Sequence, residues 1–255
     1  MRLLEIRNMT KRFGGLIAVS HLDFHVDKGE IVGLIGPNGA GKTTAFNMIA
    51  GTMRPTAGEV RFMDRRISGR KTNRIAGMGV VRTFQLTTHF AGMSVLDNVV
   101  LGNHYKSGIG LWSSFFGTPA FRKAEAASRY EAMALLEFMG LKGHEDEPAR
   151  NLPHGQQRCL EVSIALATKP TLLLLDEPLQ GMNQEELRGM VARIEKIREG
   201  GITILLVEHN MKAVTTICDR VIVLNFGEKI AEGLPQEVMK NQEVIEAYLG
   251  VDDDT

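Results

Sequence analysis

A glycine-rich segment that follows an apolar run constrains the fold of this chain more than any other feature. The segment follows the P-loop pattern of glycine, four residues, glycine, lysine and a hydroxyl residue. Its residues are Gly36, Pro37, Asn38, Gly39, Ala40, Gly41, Lys42 and Thr43. The preceding run, Ile31 to Ile35, predicts a strand, and Thr44 to Ala50 supplies helix-forming residues. A strand, a tight loop and a helix in this order predict a phosphate-binding turn at one edge of a sheet.

The chemistry of such a loop assigns roles to its side chains. Glycines let the backbone curl so that successive N–H groups point at phosphate oxygens, and the helix N-terminus adds its dipole. We expect Lys42 on the β- and γ-phosphates and the Thr43 hydroxyl on Mg²⁺. A glycine-rich turn that binds nothing is the alternative, which the flanking strand and helix disfavour. The loop therefore predicts a bound nucleoside triphosphate with Mg²⁺, held by the residues from Gly36 to Thr44; these are the ATP-binding residues if the family resemblance described below holds.

A second element stands where the leucine run Leu172 to Leu175 meets Asp176 and Glu177. A buried strand that ends in two carboxylates places negative charge at the carboxyl edge of the sheet, where ligands bind in such folds. We expect Asp176 to hold Mg²⁺ and Glu177 to act as general base on the attacking water. A surface carboxylate pair is the alternative, and the upstream P-loop disfavours it.

Short apolar runs that alternate with helix-period segments predict an α/β fold with a largely parallel sheet. The expected strands are Glu30 to Ile35, Thr171 to Leu175, Ile202 to Val207 and Val221 to Leu224, with two more in residues 3–28 around Gly14-Gly15. The expected helices are a segment with apolar residues from Leu187 to Ile197, a segment from Ala124 to Met139, and a short one from Gln242 to Leu249. The β signal fades between about 90 and 165. We therefore expect a catalytic core with a β subdomain at 1–88 and 166–255, and an inserted helical subdomain at 89–165.

Composition limits the partners and the location of the chain. The charges of the 30 basic and 30 acidic residues cancel, so the net charge of the protein does not attract it to nucleic acid. Nucleic acid is therefore not an expected partner. Cys159 and Cys218 lie far apart in apolar stretches, which predicts buried, reduced thiols. Arg2 and Glu5 interrupt the start, and the longest apolar runs fall short of the roughly 20 residues that span a bilayer. We therefore expect a cytoplasmic protein that does not itself enter the membrane.

The remaining motifs resemble those of the ABC ATPases and follow that family's order, whereas no asparagine-lysine-x-aspartate element for reading guanine occurs. Gln85 resembles the Q-loop glutamine and His209 the switch histidine. Phe13 sits where the family places an aromatic that stacks on adenine, although a core phenylalanine remains an alternative. The segment Leu152, Pro153, His154, Gly155 and Gln156 resembles the ABC signature.

This resemblance implies a fold, roles and partners. The fold is a P-loop NTPase with a RecA-like core, an N-terminal antiparallel β subdomain and an inserted α-helical subdomain. Gln85 would touch the metal and the attacking water, His209 would contact the γ-phosphate, and the signature would contact ATP held by the opposite subunit. The implied partners are a second ATPase subunit, as a homodimer or heterodimer, two transmembrane permease subunits and, indirectly, a periplasmic or extracellular substrate-binding protein. The chain would lie on the inner face of the cell membrane.

Several segments are similar to one subgroup, the ATPase subunits of branched-chain amino acid importers. They are Arg12 to Leu16, Trp112 to Lys123, Gly155 to Arg158, Glu208 to Met211 and Ala247 to Gly250. ATPases for urea or amide import or lipopolysaccharide export, and soluble ABC ATPases that do not transport, remain alternatives. A regulatory module that binds ATP without catalysis is a further alternative, which Glu177 and His209 disfavour. Trp112, Phe115 and Phe116 fit either a docking surface or, as we favour, the core.

Two positions depart from the general family pattern. Pro153 occupies the place of the signature serine, whose hydroxyl would bond the γ-phosphate. Losing a hydrogen bond to a charged group costs about 1.5–3 kcal/mol. Asn183 replaces an aspartate and can cap the helix that follows. We hypothesise that the ATP site completed by this signature turns over more slowly than its counterpart.

Overall fold

The computed structural model describes residues 1–83, 91–107 and 119–249. Within them the chain forms two compact units. The first comprises Met1–Val80, Thr171–Glu177 and the described residues from Ile194 onward, and the second comprises the described residues between 81 and 170 together with Pro178–Arg193. The predicted insertion, 89–165, falls inside the second unit, and its boundaries as a subdomain stay a prediction.

The strands alternate with helices along most of the chain. The strands are β1 (Arg2–Phe13), β2 (Leu16–Asp27), β3 (Ile31–Ile35), β4 (Ala57–Phe62), β5 (Arg65–Arg66), β6 (Val80–Arg82), β7 (Leu172–Asp176), β8 (Thr203–Val207), β9 (Arg220–Asn225) and β10 (Glu228–Gly233). The helices are α1 (Lys42–Ile49), α2 (Thr72–Gly77), α3 (Val95–Ser107), α4 (Pro119–Phe138), α5 (His154–Ala167), α6 (Gln184–Glu199), α7 (Met211–Ile217), α8 (Pro235–Val238) and α9 (Gln242–Leu249), with a 3₁₀ turn at Ala149–Asn151.

Two sheets organise these strands. The smaller one is antiparallel with the order β2-β1-β4-β5, and the larger one has the order β10-β9-β3-β8-β7-β6. In the larger sheet β3 pairs in parallel with β8 and β9, and β7 pairs in parallel with β8. The parallel central strands confirm the predicted α/β class. They also place the carboxyl ends of β3, β7 and β8 at the same edge.

Burial explains why the central strands could be predicted. All five residues of β3 are buried, as are Leu172 to Leu175 of β7, which is the pattern of parallel strands covered on both faces. The core of the first unit contains Phe62 from the small sheet, Leu34 from the large sheet and Phe46 from α1. The helix that follows the P-loop is therefore anchored in the core by its own apolar side chains.

The second unit is helical, and α3 packs closely on α5. A Cβ added at Gly102 would lie 2.6 Å from the carbonyl oxygen of Ile164, so glycine permits the close approach of the two helices. Arg129 of α4 forms an ion pair of 3.2 Å with Asp97 of α3. None of the helices in the described part of the chain combines the length and apolar character that crossing a bilayer requires.

Candidate functional site

The P-loop joins β3 to α1, and its shape depends on two glycines. Gly36 has φ 146° and Gly41 has φ 97°, conformations that side chains with a Cβ rarely adopt. A Cβ at Gly36 would lie 2.1 Å from the Leu224 carbonyl oxygen, and one at Gly41 would lie 2.5 Å from the Ala18 carbonyl oxygen. The loop is therefore wedged between β2 and β9, and only glycine fits at these two points.

Lys42 folds back into this loop. Its Nζ donates hydrogen bonds to the carbonyl oxygens of Gly36, at 2.6 Å, and Pro37, at 2.8 Å. The side chain is buried, and burial lowers its pKa, while the negative charge of Glu177 acts in the opposite direction. A desolvated ammonium is a favourable site for a polyanion, because phosphate oxygens can replace the carbonyl partners and supply opposite charge.

A cavity of about 390 Å³ opens beside the loop, within the size range of small-molecule sites. Its polar wall contains the loop residues from Asn38 to Thr44 together with Glu177. Its apolar wall contains Leu16, Ile17, Ala18 and Phe226. Seven of the nine predicted ATP-binding residues from Gly36 to Thr44 thus face one space, with Gly36 and Pro37 holding the lysine beneath it.

The two carboxylates occupy the end of β7. Asp176 is the last residue of the strand, and Glu177 follows with a φ of 47°. Positive φ at a glutamate is a strained conformation, of the kind that clusters at functional sites. The backbone N–H of Glu177 donates to the carbonyl of Val207 at 3.0 Å, which fixes the turn and directs the carboxylate into the cavity.

His209 follows the neighbouring strand β8. Its Nδ1 lies 3.9 Å from Oε1 of Glu177, and about half of its side chain is exposed. The backbone N–H of His209 donates to the buried carboxylate of Glu208 at 3.2 Å, and Asn210 caps α7 by accepting a hydrogen bond from the Ala213 N–H. Sequence reasoning missed Glu208 as a positioning group, although a carboxylate directly after an apolar strand was a visible signal.

The residues predicted for Mg²⁺ have oxygen donors of the kind that this ion binds. Thr43 lines the cavity, and Asp176 precedes the cavity residue Glu177. The described residues contain no cluster of three or more His, Cys, Asp or Glu side chains that could cage a metal. Mg²⁺ is usually held by one or two protein groups together with substrate phosphates and water, and Thr43 and Asp176 offer oxygen donors of that kind.

The signature-like segment lies in the second unit. Pro153 is the N-cap of α5 and offers no side-chain hydrogen bond, while Leu152 before it is buried. His154 packs on Gly181, where an added Cβ would lie 2.8 Å from the His154 Nδ1. Gly155 is likewise close to the carboxylate of Glu186, and the Gln156 amide lies 3.4 Å from the ring of His144.

Phe13 ends β1 and is 46% exposed, with the Lys11 Nζ 5.0 Å from its ring centroid. The core alternative for Phe13 is therefore wrong. Phe13 does not occur among the described residues that line the cavity, and its role against adenine stays a prediction. Gln85, Trp112, Phe115 and Phe116 lie outside the described residues.

Comparison with known proteins decides the family. Residues 19–180 match the ABC transporter family, and residues 228–254 match the family described as branched-chain amino acid ATP-binding cassette transporter. The chain belongs to the ABC transporter family. This ABC cassette contains both motif sets, the P-loop with its carboxylates and the signature-like segment, within its two units.

Full-length relatives agree with this assignment. The high-affinity branched-chain amino acid transport ATP-binding protein LivG of Salmonella typhimurium is 43% identical over 97% of this chain and 98% of its own length. The corresponding protein BraF of Pseudomonas aeruginosa is 41% identical over the same shares. A crystal structure of the ADP conformation of an ATP-binding cassette is similar, with a TM-score of 0.86 and 31% identity over 98% of this chain and 99% of that one. The predicted family and fold class are confirmed.

Proposed function

We propose that this ABC cassette binds and hydrolyses ATP and thereby powers the uptake of branched-chain amino acids through separate membrane subunits. One observation carries the proposal: the buried Lys42 ammonium and the strained Glu177 carboxylate border the same cavity. A phosphate-binding cation and a carboxylate that faces the same space are two of the groups that nucleotide hydrolysis uses.

Binding begins with the loop. The backbone N–H groups between Gly36 and Thr44 take the phosphate oxygens, and Lys42 exchanges its two carbonyl partners for the β- and γ-phosphates. Thr43, Asp176 and Gln85 would hold Mg²⁺, which shields phosphate charge when it is bound. Because the phosphates supply negative charge to a desolvated ammonium, this exchange favours a triphosphate over a neutral ligand.

Hydrolysis falls to the residues at the strand ends. Glu177 orients the attacking water and accepts its proton as general base. His209, held by its backbone next to Glu177, contacts the γ-phosphate and stabilises the charge that develops there. By the family resemblance, Gln85 would contact the metal and the attacking water and couple hydrolysis to the membrane subunits.

Assembly follows from the number of motifs. The chain carries one P-loop and one signature-like segment, so two ATP sites built from both motifs need a second ATPase subunit, identical or related. Gln85 and the helical region around residues 87 to 120 would transmit the movement of the cassettes to two permease subunits, with a substrate-binding protein acting on their far side. The working location is then the cytoplasmic face of the cell membrane. The names of the full-length relatives support branched-chain amino acids as the cargo.

The test uses the chain purified together with its membrane subunits and placed in proteoliposomes. We expect ATP-dependent uptake of labelled leucine, isoleucine and valine, with matching phosphate release. Glu177→Gln should abolish both activities, while Glu199→Gln, the same change at an exposed position of α6, should leave them intact. Phosphate release without uptake of any of the three amino acids would contradict the cargo, and uptake that survives Glu177→Gln would contradict the mechanism.

A further inference from the structure

The turn between β9 and β10 carries an exposed aromatic side chain at the candidate site. Phe226 is 84% exposed and has a φ of 44°. Its side chain belongs to the apolar wall of the cavity beside the P-loop. The left-handed backbone costs free energy at a bulky residue, and the exposed ring gains none from burial, so folding stability does not account for the position of Phe226.

Hydrogen bonds hold this turn against the nucleotide loop. The N–H of Gly227 donates to the carbonyl of Ala40 in the P-loop at 3.0 Å, and the N–H of Ser20 donates to the carbonyl of Gly227 at 2.8 Å. A Cβ at Gly227 would lie 2.8 Å from the Ala18 carbonyl oxygen, so the turn sits tightly on β2. The backbone that presents Phe226 is therefore fixed relative to the loop that would hold the phosphates.

The chemistry of the cavity changes from one side to the other. The P-loop side offers N–H groups and a buried ammonium, which suit phosphates. The other side offers Leu16 and Ile17, both exposed, together with Phe226. An ATP molecule has the same polarity, with a charged triphosphate at one end and a flat, uncharged base at the other. The apolar wall therefore matches the base of a nucleotide whose phosphates lie in the loop.

We propose that Phe226 contacts the base of the bound nucleotide and contributes to the affinity for it. This inference rests on the proposed function, since it needs the phosphates in the P-loop. Phe226 acts from a different hairpin than Phe13, which ends β1 and pairs with Leu16. The cavity wall offers the base Leu16 and Ile17 from the β1–β2 hairpin and Phe226 from the β9–β10 hairpin.

The test compares two ligands on the full chain by calorimetry: ATP and inorganic tripolyphosphate, which has the phosphates but no base, each with Mg²⁺. Phe226→Ala should weaken ATP binding by about fivefold or more, because a lost base–aromatic contact corresponds to about a 5- to 150-fold loss of affinity. It should leave tripolyphosphate binding unchanged, and Phe226→Trp should keep ATP binding near the wild-type value. The control is Met63→Ala, another exposed apolar residue with positive φ in a hairpin turn, which does not line the cavity.

The outcomes separate this inference from the function beneath it. An ATP affinity that is unchanged by Phe226→Ala, an equal loss for both ligands, or a loss that Phe226→Trp does not recover would overturn the inference and leave the proposed function in place. Wild-type protein that binds neither ligand would overturn both. A selective loss for ATP that the aromatic variant restores would establish the contact.

Discussion

The Glu177 carboxylate lies 3.9 Å from the His209 ring, from Oε1 to Nδ1, although the two residues belong to different strand ends. The parallel pairing of β7 with β8, in which Asp176 stands opposite Val207, brings them together. Both side chains are partly exposed, so a γ-phosphate and a water can reach them. In the function that we propose, Glu177 is the base and His209 stabilises charge on the γ-phosphate, so a substitution of His209 should affect hydrolysis and spare ATP binding.

His209→Ala should slow hydrolysis far more than it weakens binding. Losing a group that stabilises charge mainly in the transition state lowers kcat by about 10²-fold. The P-loop still binds the triphosphate, so the Kd for ATP should change little. Single-turnover phosphate release and the equilibrium Kd for ATP measure the two effects separately. His25→Ala, in β2, is the control. A Kd that rises as much as kcat falls would assign His209 to binding instead.

Gly41→Ala should destabilise the protein more than Gly201→Ala does. Both glycines have φ near 90°, so each substitution carries a backbone cost of about 1–2 kcal/mol. The Cβ at Gly201 meets open space, whereas the Cβ at Gly41 would press on the Ala18 carbonyl oxygen, which adds a steric cost of about 1–3 kcal/mol. Urea unfolding gives both free energies. Equal losses would mean that the loop relaxes away from β2 freely.

Asn183→Ala should remove the cap of α6. The Asn183 Oδ1 accepts from the N–H groups of Glu185 and Glu186, and the Glu186 carboxylate accepts in return from the Asn183 N–H at 2.9 Å. Loss of such a reciprocal cap costs about 0.5–2 kcal/mol. Asn183→Asp keeps an acceptor at the same position and should retain most of the stability. A free energy of unfolding that drops equally in both variants would show that the cap is not the source.

The stability contribution of Lys42 should depend on pH. Burial lowers its pKa in the folded protein below the ordinary value of 10.5. Between the lowered pKa and 10.5 the unfolded chain therefore binds more protons than the folded one, and stability rises with pH in that window. The free energy of unfolding of the wild type minus that of Lys42→Met, measured without nucleotide, should increase as the pH rises toward 10.5, the ordinary pKa of a lysine. A difference that falls over this range would contradict the desolvated ammonium.

Local patterns were enough to predict the centre of this fold. The strand β3, the P-loop and α1 are contiguous in sequence. The apolar run that ends at Asp176 predicts a buried strand whose carboxylates lie at the edge of the sheet. Both cysteines are buried and free, as their apolar surroundings predicted. These features could be predicted because each depends on neighbours within a few residues.

Other parts depend on contacts that sequence does not display. The strand β5 has only two residues, both exposed, and β10 has no buried residue, so neither shows a hydrophobic period. Phe226 lies in the turn after β9, and no sequence pattern marks this turn as part of a site. Hydrogen bonds of Gly227 with Ala40 and Ser20 hold the turn at the cavity. Tertiary pairing, rather than local propensity, gives these residues their role.

The most direct test of the central claim is the equilibrium binding of MgATP by Lys42→Ala, with phosphate release measured on the same samples. Lys196→Ala, at an exposed position of α6, is the control. We expect Lys42→Ala to weaken binding at least about tenfold, since a charge-assisted contact to phosphate is lost, and to abolish release, while Lys196→Ala matches the wild type. Affinity and turnover that stay at the wild-type level in Lys42→Ala would contradict the claim that this loop holds the triphosphate.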